Sequence, residues 1–162
     1  MASGVEREAP EPAGEQASQE LVKGGQDLIA AANGHAASAG ATVLQSGGSA
    51  LDAAIAAQLV LNLVEPQSSG MGGGAFLLYF DSASRELISY DGRETAPASA
   101  QPDMFLHSDG TAPTYLAALV GGNSVGAPGL LSMLWLAHGN HGRLSWGQLF
   151  TPAIDIAEKG FA

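Results

Sequence analysis

Arg93 is the side chain in this sequence best placed to hold a charged ligand. The chain carries six lysines and arginines in 162 residues, so each cation stands out. Arg93 lies in Asp91-Gly92-Arg93-Glu94-Thr95-Ala96-Pro97, just after an apolar run that reads as a strand. A planar guanidinium presents a fork of donors that matches a carboxylate bidentately, which a lysine ammonium cannot do. Flanked by Asp91 and Glu94, the same side chain also suits a structural ion pair, and composition does not separate the two. A second candidate is Gly70-Met71-Gly72-Gly73-Gly74. Glycines permit positive φ and close backbone approach, and free N–H groups there could hold a carboxylate or an oxyanion. A phosphate loop does not fit. No Gly-Lys-Ser/Thr follows, and these glycines sit between a helix and a strand rather than between a strand and a helix.

Other reactive side chains read as ordinary structure. Ser68 and Ser69 lack the G-x-S-x-G elbow of a serine nucleophile and read as turn formers. His138 and His141 are three apart, but no further ligand clusters near them to complete a metal site. They read as a polar turn after a helix.

The elements that must position Arg93 follow from periodicity and punctuation. Leu28 to Ala32 is a short apolar run, expected as a buried strand. Asn33-Gly34 marks a turn, and Ala36 to Gln45 reads as a helix ended by Gly47-Gly48. Ser49 and Asp52 form a capping pattern. Leu51, Ile55, Leu59 and Leu63 then recur every four residues in a nearly charge-free helix that runs to Val64, where Glu65-Pro66 stops it. Ala75 to Phe80 and Glu86 to Tyr90 read as a hairpin across the polar turn 81–85. A loose stretch, 98–122, precedes an apolar helix from Leu130 to His138. Ser145 and Gln148 repeat the capping pattern and open a helical stretch to about Lys159, broken near Pro152.

Composition narrows the function classes. Charged residues make up 14% of the chain, there are 22 glycines without a three-residue period, and there is no cysteine. Collagen, coiled coils, disulfide scaffolds and thiolate metal sites are excluded. No apolar run reaches the ~18 residues needed to span a bilayer. The net charge is −10, with no basic patch, which argues against nucleic-acid or anionic-membrane binding. Residues 1–20 are rich in Glu, Ala, Pro, Gly and Ser and read as a disordered acidic tail without the apolar core of a signal peptide.

Several segments, in order, resemble the γ-glutamyltransferases (γ-glutamyl transpeptidases). They are Ala30 to Asn33 with Ser46 to Ala56, the stretch Glu65 to Leu77, Asp91 to Pro97, Val125-Gly126-Ala127-Pro128-Gly129, and Pro152-Ala153-Ile154 through Gly160-Phe161. The resemblance implies an α+β N-terminal nucleophile hydrolase fold, an αββα four-layer sandwich of which this chain is an incomplete fragment. Residues 21–162 are then the N-terminal part of the large subunit. The resemblance implies a precursor that cleaves itself. The threonine so exposed on the small subunit attacks a γ-glutamyl amide such as glutathione, with its own α-amino group as base. Water or an acceptor amino acid or peptide then removes the glutamyl group. No metal or organic cofactor is implied, the remaining large-subunit residues and the small subunit are the partners, and the location is periplasmic or secreted.

Residue by residue, Arg93 matches the arginine that binds the α-carboxylate of the γ-glutamyl group. Glu94 is expected to orient Arg93 or support its loop, and Asp91 matches no role. None of Thr42, Thr95, Thr111, Thr114 and Thr151 lies in a matching nucleophile motif, so no catalytic residue is assigned here. The nucleophile is expected beyond Ala162, and the chain alone is expected to be inactive and poorly folded, with the helix ending at Val64 in need of partners. A cephalosporin or glutaryl-amide acylase of the same superfamily is the nearest alternative. A catalytically dead homologue acting as a binding partner is the other.

Overall fold

The computed structural model describes residues 23–161, and the expected acidic tail lies outside them. Five α-helices, two short 3-10 segments and one two-stranded antiparallel sheet make up the described residues. Helix α1 runs Gly34–Gln45 and α2 runs Ala50–Val64. The hairpin is β1, Phe76–Asp81, with β2, Glu86–Asp91. Helix α3 is Tyr115–Leu119, α4 is Leu130–His141 and α5 is Thr151–Lys159, with 3-10 turns at Gly122–Ser124 and Trp146–Phe150.

The capping pattern at Ser49 forms as expected. Ser49 Oγ accepts from the Asp52 amide, and Asp52 Oδ2 accepts from the Ser49 amide. Gly47 ends α1 at φ +86°, a conformation that glycine adopts without a Cβ penalty. The nearly charge-free helix finds much of its cover within the chain. Leu51, Ile55, Leu59 and Val60 are buried, in contact with residues of α1, α4 and the 146–150 turn, while Leu61 to Val64 are half-buried. Pro152 stands in the first turn of α5, where its missing N–H costs nothing, so the break falls between the 3-10 turn and that helix.

Two expectations are corrected. Residues 28–31 have no regular secondary structure, and Leu28 is exposed. A strand needs a neighbour for its backbone groups, and no described strand lies beside this run. His138 and His141 are not in a turn after α4 but in its last turn. There His138 Nε2 donates to the Leu144 carbonyl, and His141 stacks on Tyr79 with its Nε2 2.8 Å from the Tyr90 hydroxyl. The helix α3, capped by Thr114, also appears inside the stretch expected to be loose.

The hairpin registers Phe76 with Asp91, Leu78 with Ser89 and Phe80 with Leu87 on one face. Leu77, Tyr79 and Tyr90 turn to the other face and pack on the core of α2 and α4. The first face leaves Phe76, Leu78, Phe80 and Leu87 between 58% and 68% exposed. Among the described residues no helix is long and apolar enough to cross a membrane.

Candidate functional site

Arg93 emerges where the hairpin ladder ends. The ladder continues one pair beyond β2, with Ala75 and Gly92 exchanging both backbone hydrogen bonds at 3.0 and 3.3 Å. Three residues later the chain is fixed again, as Thr95 and Ala127 exchange their own pair at 2.8 and 3.3 Å. Arg93 and Glu94 therefore bridge two anchored points. The Arg93 amide donates to Asp91 Oδ1 at 3.0 Å, closing an Asx turn.

Glycines let three backbone segments meet at this bridge. A Cβ on Gly74 would stand 2.6 Å from the Gly92 oxygen and 2.7 Å from the Arg93 Cα. One on Gly92 would stand 2.5 Å from the Met133 Cβ, and one on Gly129 would strike the Gly92 carbonyl. The Gly73 carbonyl accepts from the amides of Gly129 and Leu130, tying the glycine-rich loop to the start of α4. The described glycines of Gly70–Gly74 are not at positive φ. Close approach is the reason at work at Gly74, whereas a Cβ on Gly70 or Gly72 would meet nothing within 4 Å. Gly74→Ala is expected to destabilise by about 1–3 kcal/mol, because the methyl meets main chain that has no rotamer to give. Thermal melting of the complete protein checks this.

Arg93 is exposed, and among the described residues its guanidinium has neither an ion pair nor a hydrogen bond. The ion-pair reading with Asp91 or Glu94 therefore finds no support in the geometry. Arg93 lines two open cavities. One, of about 380 Å³, is also walled by Asp91, Thr95, Pro128, Ser132 and Met133. The other, of about 420 Å³, is walled by Gly72, Glu94, Thr95, Ser124 and Gly126. The exposed Glu94 runs over two glycines, with its Oε1 3.3 Å from where a Gly73 Cβ would stand and its Cβ 2.8 Å from that of Gly126.

Ser68, Ser69, His138 and His141 line neither of these cavities. Ser69 is held by Gln58 and Asn62 at the C-terminal end of α2, with hydrogen bonds of 2.6–2.8 Å among the three. Ser68 is an exposed turn residue whose amide donates to the Glu65 carbonyl. No group of three or more His, Asp or Glu side chains among the described residues could hold a metal. Thr95, Ala127, Ser132 and Met133 were not distinguishable as site residues by type or spacing. The pairing of 95 with 127 and the bonds from Gly129 and Leu130 to the Gly73 carbonyl bring them to the arginine.

Comparison with known proteins gives the family. The profile of the gamma-glutamyltranspeptidase family matches residues 36–162. The glutathione hydrolase proenzyme of Bacillus subtilis (strain 168) is 45% identical over 134 residues, covering 83% of this chain and 23% of that protein. The solved gamma-glutamyltranspeptidase of Helicobacter pylori superposes with a TM-score of 0.80 at 31% identity, over 88% of this chain and 40% of that one. The cephalosporin acylase of Bacillus halodurans superposes at 0.64 and 31% identity, over 78% and 23%. This chain thus spans less than a quarter of the curated relative it matches. Its helices and hairpin are part of the α+β N-terminal nucleophile hydrolase fold of these neighbours. On the match over residues 36–162, this chain belongs to the gamma-glutamyltranspeptidase family.

Proposed function

We propose that the complete protein transfers or hydrolyses the γ-glutamyl group of glutathione and related amides, and that Arg93 binds the α-carboxylate of that group. The observation that carries this reading is an exposed arginine, unpaired among the described residues, fixed at its backbone between two open cavities. A guanidinium kept free of internal carboxylates is available to an external one, and the bidentate contact is charge-assisted. Held there, the donor would present its γ-carbonyl at a set distance from the arginine, which turns attack into an effectively intramolecular step.

The chemistry is a double displacement. A threonine hydroxyl, its proton taken by a base, adds to the γ-carbonyl, and the amine leaves with a proton, giving an acyl-threonine. Water or an acceptor amine then attacks the ester and frees the threonine. This threonine is supplied from outside residues 1–162. The apolar outer face of the hairpin supports such an arrangement, because contiguous exposed apolar side chains mark a surface that another layer covers. The rest of the large subunit and the small subunit are the partners that would supply it.

The likeness to a cephalosporin acylase favours a second reading, since a guanidinium would grip a glutaryl carboxylate by the same fork. Assay of the complete protein on γ-glutamyl-p-nitroanilide and on a glutaryl amide separates the two. Turnover of the first and not the second is expected. The reverse preference would assign the acylase reading, and turnover by the 162-residue chain alone would sink the claim that the nucleophile lies outside it.

A further inference from the structure

We infer that Asp91 is a positioning residue for the Arg93 site, acting through the backbone of Arg93 and not through its charge. The inference rests on the reading of Arg93 as the substrate anchor. Asp91 ends β2 opposite Phe76, and the ladder is complete one residue later at Gly92. Ala75 and Gly92 exchange both hydrogen bonds, so the next amide, that of Arg93, points away from β1 and finds no partner there. Asp91 Oδ1 takes that amide at 3.0 Å. Among the described residues this is the one hydrogen bond that Arg93 makes. The Asp91 carboxylate pairs with no cation among them.

The consequence is a division of labour within residues 91–95. Gly92 and Thr95 fix the ends of the bridge through backbone pairs. Asp91 fixes its middle, and so sets the direction in which the arginine leaves the backbone. Because the carboxylate is engaged with an amide, it leaves the guanidinium to an incoming carboxylate. An acceptor oxygen one methylene from Cα closes this turn, and Asn supplies it as well as Asp does. Glu keeps the charge, but its longer chain puts the oxygen past the amide.

The test compares Asp91→Asn with Asp91→Glu in the complete protein, with γ-glutamyl-p-nitroanilide as donor. D91E is expected to raise KM about tenfold with kcat little changed, the pattern of lost ground-state binding, while D91N stays within about twofold of the parent. A KM raised more by D91N than by D91E would assign the effect to charge and overturn the inference, as would equal effects or none. Arg93→Ala in the same assay tells the two readings apart. A KM raised by R93A and untouched by D91E defeats the role of Asp91 alone. A KM untouched by R93A defeats the anchor itself.

Discussion

Arg93→Lys in the complete protein is expected to raise KM for a γ-glutamyl donor by roughly 10- to 100-fold, the range that losing a charge-assisted contact would produce. The substitution keeps the positive charge and removes the planar fork. A point charge on a flexible stem still attracts the α-carboxylate, but it does not fix its orientation. Part of the loss should therefore appear in kcat, because a donor free to pivot presents its γ-carbonyl correctly less often. Melting should change little, since Arg93 is exposed and its guanidinium makes no hydrogen bond or ion pair among the described residues. Steady-state kinetics with a melting control check this. Unchanged specificity constants would refute the carboxylate role.

That expectation separates two kinds of arginine. Had Arg93 been locked to Asp91 or Glu94, substitution would have left an uncompensated carboxylate and cost stability first. Here both carboxylates are occupied differently. Asp91 holds a backbone amide, and Glu94 lies over Gly73 and Gly126.

Local signals were legible in the sequence. The Ser49–Asp52 box, the Ser145–Gln148 box, the stop at Glu65-Pro66 and the hairpin turn each depend on a few neighbouring residues, and each stands where expected. What depends on distant chain was not legible. The run 28–32 has the composition of a strand, but a strand is a relation between two segments, and no described segment is its partner. His138 and His141 read as a turn because Gly139 and Asn140 surround them, yet packing on Tyr79, Tyr90 and Trp146 carries the helix through. At the site, Arg93 was visible through its rarity. The surfaces facing it from Ala127, Ser132 and Met133 were not, since no periodicity links residue 95 to residue 127.

Asp52 is where a capping residue, legible locally, acquires a long-range task. Its carboxylate is fully buried. Oδ2 accepts from the amides of Ser49, Arg143 and Leu144 at 2.9, 2.9 and 3.1 Å, so one oxygen joins the start of α2 to the chain beyond α4. His138 Nε2 lies 3.6 Å from Oδ1 and donates instead to the Leu144 carbonyl. Burial pushes the acid's pKa up, but the backbone donors of Ser49, Arg143 and Leu144, with the Ser49 hydroxyl, outweigh it and hold the carboxyl below its ordinary value. A depressed pKa adds stability that is present above the unfolded value of about 3.9 and is lost as pH falls through the folded one. Asp52→Ala is expected to cost about 3 kcal/mol at neutral pH, because it strands buried amides as well as removing the cap. Asp52→Asn keeps the shape and loses the charge, so its deficit should be smaller and should shrink below about pH 4, where the parent's unfolded chain takes up a proton that the folded carboxyl resists. Melting of the complete protein and both variants at pH 7 and pH 3 measures this. A D52N deficit equal at the two pH values would show that hydrogen-bond geometry, and not the ionised form, sustains the junction. In either case the KM of D52N for the γ-glutamyl donor should match the parent's, because Asp52 contacts neither Arg93 nor the two cavities that Arg93 lines.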